Sequence, residues 1–395
     1  MIIRFAFLSV AMAAAVPAFG QLHLITGSPT PNYLNGFESA LLRVGADGGV
    51  ARIATLVSEE SGTEWIGTSE DWRKAVLLPR DGGLYDRVVV VDFDKAVVVK
   101  DCRAGGPRPF TYNEWLWDSP TKGHLLAEYI GGEKPGNRVV VGMLLDPDIP
   151  CDKTFTNPDK GDIRYVLASG TAGVSDVDRG PNMRVWISSD GKVMYSFLDG
   201  SVYFDFQIPS AMMDGISRPA SVVAVSSRAL FAINLCDFSD PEKGRLLVLR
   251  RADNTWHRVP VNTGQLGLVR GFGTFLAIVD YQRKSDKMPG SAGSAEWRTK
   301  DSVTGPDMKS RFDNDDFGYA YPGRLYLYDA AAERTYTILT NQGDSEILLV
   351  EDNVVYYRAS DRLYSAPITK TGLGAAKLLA TSDLIRDAHW AFIKR

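Results

Sequence analysis

The sequence predicts an all-β protein made of one repeated antiparallel unit, and three observations carry that prediction. First, "GRLLVLRRADNTWHRV" at 244 and "GRLYLYDAAAERTYTI" at 323 say nearly the same thing: strand, polar turn, strand. Second, segments of that kind recur along the whole chain, and a period of a few tens of residues marks a repeat architecture. Third, a two-stranded hairpin cannot bury both faces alone, so repeated sheets must stack on one another. A stack that bends round on itself and leaves only short outer edges is a β-propeller. The count of repeats points to seven blades, with six or eight open.

The elements follow in chain order. The first twenty residues, "MIIRFAFLSVAMAAAVPAFG", join Arg4 to an apolar run and a small-residue end with Ala18 and Gly20. That is the composition of a secretory signal, which places the mature start near Gln21. The run is shorter than the roughly 20 apolar residues of a membrane span, and no later segment is apolar enough to cross a bilayer. The chain is therefore expected to be exported, periplasmic or secreted, with no transmembrane segment once the signal is removed. Residues 21–395 are expected to form a single domain.

Seven segments read as a strand after Gly, Asp, Asn or Glu: "ESALLRV" at 38, "DRVVVVDF" at 86, "NRVVVGMLL" at 137, "GSVYFDFQI" at 200, "GRLLVLRR" at 244, "GRLYLYDA" at 323 and "DRLYSAPI" at 361. Most lead through a polar turn into a second β-rich run, such as "KAVVVK" or "RTYTILT". That is the hairpin signature. Upstream of the hairpins lie further apolar strands: "WRKAVLL", "GHLLAEYI", "GKVMYSFL", "RALFAINL", "GTFLAIVD" and "DNVVYYRA". Their apolar runs suit buried or half-buried strands. The fourth repeat is irregular, because "PSAMMDGISRP" after "GSVYFDFQI" offers no outer strand and Pro209 and Pro219 oppose a long one. The first repeat lacks an innermost strand, whereas "RDAHWAFIKR" at 386–395 has no hairpin after it. The C-terminal strand is expected to enter the N-terminal blade and close the ring.

Two stretches, "ISSDGKVMYSFLDGSVYFDF" and "DSPTKGHLLAEYIGGEKPGNRVVV", resemble the WD40-like (PD40) repeats of TolB-type β-propellers, whose repeat opens on a Ser-Pro-Asp-Gly-Lys turn. The resemblance implies four antiparallel strands per blade around a central channel. Ser189 stands where that turn has Pro, and the stretch from Ser119 to Gly123 lacks the Asp.

Composition excludes some functions. A formal charge of -4 with both signs interspersed gives no electrostatic footprint for nucleic acid. The four histidines are scattered, and no HExxH, GxSxG or Walker sequence occurs. No catalytic residue is assigned. The three cysteines, Cys102, Cys151 and Cys236, form neither a metal knuckle nor a CxxC pair. Blade topology sends Cys102 and Cys236 to one end of the ring, far apart, and Cys151 to the other, so no disulfide is expected.

Candidate sites lie in loops. The longest insertion, residues 281–322, falls between second and third strands of the sixth repeat and carries Trp297, Phe312, Phe317, Tyr319 and Tyr321 among charges. Long loops are commonly functional, and interleaved aromatics suit recognition of a protein, peptide or glycan. Two acidic clusters, Asp146, Asp148 and Asp152, and Asp313, Asp315 and Asp316, are candidate calcium ligands, although neither has EF-hand spacing. The reading is an exported, non-catalytic binder; the alternative is a propeller hydrolase, lyase or lactonase using channel-facing carboxylates.

Overall fold

A computed structural model describes residues 21–26, 39–57, 62–69, 73–81, 84–85, 87–103, 115–119, 124–131, 139–144, 148, 150–151, 154–155, 164–166, 185–196, 202–217, 219–226, 229–237, 244–261, 266–283, 319–340 and 345–395. The expected signal segment, 1–20, lies outside the described residues.

The described residues form antiparallel sheets almost throughout, seven in number. The first has β1 (Gln21–Thr26), β2 (Ser39–Val44) and β3 (Val50–Val57). The second has β4 (Gly62–Ser69), β5 (Lys74–Asp81), the short β6 (Leu84–Tyr85), β7 (Arg87–Asp92) and β8 (Val97–Arg103). The third has β9 (Trp115–Ser119), β10 (His124–Gly131), β11 (Val139–Leu144) and β12 (Thr154–Phe155), with β13 (Arg164–Val166) added beside β9. The fourth has three strands, β14 (Val185–Ile187), β15 (Lys192–Ser196) and β16 (Val202–Gln207). The fifth has β17 (Pro219–Ser226), β18 (Leu230–Asp237), β19 (Arg245–Arg250) and β20 (Thr255–Arg258). The sixth has β21 (Leu266–Phe272), β22 (Phe275–Arg283), β23 (Tyr319–Asp329) and β24 (Arg334–Thr340). The seventh has β25 (Ser345–Glu351), β26 (Val354–Ala359), β27 (Arg362–Thr369), β28 (Gly372–Leu373) and β29 (Lys377–Thr381).

The last strand, β30 (Ala388–Lys394), pairs with β1 from Gln21↔Lys394 to Thr26↔Ala388, giving the first sheet the order β3-β2-β1-β30. The two ends of the described chain are joined as the missing strand of the first repeat predicts. In the fourth repeat, the helical turn α1 (Ser210–Met213) follows Pro209 where an outer strand was in doubt.

Local chemistry sets the turns. In "SSDGK" the Ser188 Oγ accepts from the Lys192 amide at 2.9 Å, and Gly191 takes φ 84°. A Cβ there would meet the Ile208 carbonyl oxygen at 3.0 Å, so the glycine is required twice over. Ser188 and Lys192 hold the exposed Asp190 carboxyl down at about 2. Asp352 and Asn353 both adopt positive φ between the paired Glu351 and Val354, the two-residue hairpin geometry that matches strand twist.

Alternation sends side chains into two different cores. In β22, Leu276 and Ile278 pack on the fifth sheet while Ala277 and Val279 pack on the seventh. In the first sheet, Leu24, Leu42 and Ala391 meet Leu348 and Tyr356 of the seventh, whereas Ile25, Leu41, Trp390 and Phe392 meet Leu77 and Val89 of the second. Sheets five, six, seven, one and two are thus stacked face to face in that sequence. Each fully buried Leu, Ile or Phe contributes roughly 1.5–3 kcal/mol. Strands at the corresponding edge of neighbouring sheets also touch: β14 with β17, β17 with β21, β21 with β25, and β25 with β30.

Two expectations are corrected. Cys102 and Cys151 form a disulfide, with Cα atoms 5.5 Å apart. Assigning each loop to one end of its own sheet overlooked the neighbouring sheet: Cys151 lies three residues before Thr154, at most about 10 Å of chain at about 3.3 Å per residue, and the bridge sets it beside Cys102 of β8. The insertion is also shorter than the sequence suggests, because β22 and β23 continue pairing to Arg283↔Tyr319, which leaves residues 284–318 between them.

Candidate functional site

β25 and β30 run side by side, and polar groups gather at both ends of the pair. At the end where β25 begins, the buried Arg358 donates through Nε to the Ala388 carbonyl at 2.7 Å and lies 3.3 Å from Glu346 Oε2. The His389 Nδ1–H donates to the same carboxylate oxygen at 2.6 Å. One carboxylate therefore neutralises the guanidinium and orients the imidazole. This end of the sheets is also the one from which β22 runs into the insertion, since β22 and β26 are equivalent second strands.

At the opposite end, a cavity of about 230 Å³ is lined by four sheets. Gly271, Phe272 and Gly273 come from the β21–β22 turn, and Leu349, Val350 and Glu351 from the end of β25. Trp390, Phe392 and Arg395 come from β30 and the residue following it, and Arg73 and Phe93 from the second sheet. Phe392 is stacked between Phe93, with centroids 4.4 Å apart, and His23, at 5.1 Å.

The polar wall is a row of alternating charge. Arg73 Nε lies 2.7 Å from Asp94 Oδ1 and its Nη1 lies 3.1 Å from Glu351 Oε1. Its Nη2 donates to the Ile393 carbonyl. One guanidinium thereby ties the second sheet to the seventh and to β30. Glu351 Oε1 also accepts from Arg395 Nη2 at 2.7 Å. That bond, chiefly, raises the Arg395 pKa, with the Coulomb fields of Glu351, Asp352 and Asp94 acting in the same sense. Arg73 sits at φ 48°, a backbone cost for a non-glycine residue.

The residues expected to form a site are dispersed or outside the description. Trp297, Phe312, Phe317, Asp313, Asp315 and Asp316 lie outside the described residues, as do Asp146 and Asp152. Asp148 is an exposed turn residue. Tyr319 and Tyr321 belong to β23 rather than to a loop. Among the described residues no group of three or more His, Cys, Asp or Glu could hold a metal ion. No described helix is long and apolar enough to cross a membrane.

Sequence reasoning missed Arg73, Glu346, Glu351, Arg358, His389 and Arg395. The available signal was the placement of Glu346 and Glu351 at the two ends of the apolar run Ile347–Val350, which marks a strand with charged groups held at each end.

No family model matches the chain, and no curated protein matches it. Among solved structures it is similar to apo AztD from Citrobacter koseri, at 10% identity over 94% of this chain and 97% of that one, with a TM-score of 0.45. Sqt1 from Saccharomyces cerevisiae matches at 10% identity over 91% of this chain and 88% of that one, TM-score 0.38. TolB from Acinetobacter baumannii matches at 8% identity over 92% of this chain and 65% of that one, TM-score 0.34. At these scores the likenesses carry no argument about function.

Proposed function

We propose that this chain is an exported, non-catalytic binding protein whose seven sheets are the blades of one β-propeller. Its partner, a protein, peptide or glycan, would meet the ring at the end where residues 284–318 emerge. One observation carries the reading. β22 and β23 have 9 and 11 residues, and no other described strand exceeds 8. Their ladder continues past the Leu235↔Arg245 and Ala359↔Arg362 ends of the equivalent hairpins, through register shifts at Asp280/Tyr281 and Tyr281/Arg283. A bulged, extended hairpin re-aims the chain that follows it, which supports reading Trp297, Phe312 and Phe317 as the recognition residues.

Export is supported by the leader composition and by the Cys102–Cys151 bridge, which suits an oxidising compartment. The ring is supported by the stacking of sheets five, six, seven, one and two and by β30 pairing with β1.

The test places a photo-crosslinking residue at Phe312, at Trp297, or at Asn353 on the opposite end, in cells bearing the native envelope. The two insertion positions should yield the same discrete adduct and Asn353 should not. Deleting residues 284–318 should abolish partner recovery at an unchanged melting temperature. Adducts from Asn353 alone, or recovery that survives the deletion, would overturn the proposal.

A further inference from the structure

The charged wall of the cavity at the Glu351 end is not uniform. Asp94, Arg73 and Glu351 are fixed by one another and by the Ile393 carbonyl, and the Arg73 and Glu351 side chains are 19% and 13% exposed. Arg395 differs. It follows the last residue of β30, its side chain is 62% exposed, and among the described residues its side chain makes one hydrogen bond, to Glu351. Without Arg395 the fixed row carries two carboxylates and one guanidinium, leaving one negative charge beside the cavity that Trp390 and Phe272 help to line.

We propose that Glu351 and this cavity form a receptor for a guanidinium group, such as the arginine side chain of an extended peptide, and that Arg395 occupies it in cis as a displaceable plug. The chemistry selects the ligand. A metal ion on Glu351 would face the Arg73 guanidinium, which already donates to the same carboxylate oxygen at 3.1 Å. A planar monocation can donate one N–H to that carboxylate, as Arg395 does, and lay its face against an aromatic ring. The intramolecular group competes at an effective concentration in the millimolar range, so an external ligand must outbid an exposed ion pair. Such a pair limits the blocking to about five-fold. The site lies at the end of β22 opposite the insertion, roughly 30 Å away at about 3.4 Å per residue, and does not depend on residues 284–318.

The experiment is a saturation-transfer NMR titration of the full chain with methylguanidinium at fixed ionic strength. Arg395→Ala should bind about five-fold more tightly than the unmodified chain, Arg395→Lys should remain blocked, and Arg395→Ala with Glu351→Gln should not bind. Methylurea, a neutral isostere, should not bind Arg395→Ala, and this comparison holds whether or not the Glu351 variant folds. Equal affinity of Arg395→Ala and the unmodified chain would overturn the proposal. So would retained binding in a folded double variant, or equal binding of methylurea.

Discussion

Truncating Phe392 to alanine tests whether joining the two ends of the described chain holds the whole molecule. Phe392 is 1% exposed, sits opposite His23 in the β1–β30 ladder, and stacks on Phe93 of the second sheet at 4.4 Å. The substitution therefore removes apolar contact on the strand that joins head to tail and on its neighbouring sheet together. Emptying a buried phenylalanine site costs about 3–5 kcal/mol. Unfolding entropy of about 2.1 cal/mol/K per residue gives roughly 0.8 kcal/mol/K for a chain of 395 residues. If the sheets unfold as one unit, the midpoint should fall by roughly 5 °C. Differential scanning calorimetry on Phe392→Ala, beside Leu378→Ala as a control on a residue 49% exposed, measures it. The control should shift by less than about 1 °C. A Phe392→Ala melt within that same degree, or the appearance of a small early transition with the main one unmoved, would show that β30 docks peripherally.

Two further predictions follow. Burial chiefly, with Lys394 and Arg43, lowers the His23 pKa below 6.5, so between that value and the folded one the unfolded state binds more protons. Stability should fall as pH drops below 6.5, and His23→Gln should flatten the change in urea midpoint between pH 7.5 and 5.5; parallel slopes would refute the assignment. Non-reducing peptide mapping should join Cys102 to Cys151. Closing a loop across a separation of 49 is worth up to about 4 kcal/mol in the chain-entropy model, so reductant should lower the midpoint of the parent but not of Cys102→Ala.

What the sequence made legible was local. "GRLLVLRRADNTWHRV" and "GRLYLYDAAAERTYTI" become the hairpins β19–β20 and β23–β24, each with a left-handed residue before its second strand, Asn254 at φ 57° and Glu333 at φ 51°. The strand period and the turn chemistry both act within a few residues, so one sequence displays them. The partner of β1 was legible by elimination, since one repeat lacked a strand and one strand lacked a repeat. The disulfide was not, because topology states where a connection leaves its own sheet and not what it meets on the neighbouring one. The charged wall was less legible still: Arg73 meets Glu351 and Ile393 across 278 and 320 residues, and no local pattern marks such pairs.

The placement of those charges has its own logic. The first sheet is assembled from opposite ends of the described chain, so no tight turn fixes the register of β30 on β1 or its height against β25. In strands a slip of one residue sends every side chain to the other face. Apolar packing penalises such a slip, because Ala391 faces Leu348 and Leu24 while Trp390 and Phe392 face the second sheet, and exchanging them would force large rings into the space of a methyl group. Polar contacts add to that penalty, since a buried donor or acceptor left without its partner costs about 1–3 kcal/mol. Glu346 meets His389 and Arg358 at one end of β25, while Glu351 meets Arg395 and Arg73 at the other. Sliding β30 along β25 would break the His389–Glu346 bond and the Arg358 bond to the Ala388 carbonyl at one end, and the Arg395–Glu351 bond and the Arg73 bond to the Ile393 carbonyl at the other, so the bonds at the two ends act together as a ruler that fixes where the closing strand comes to rest.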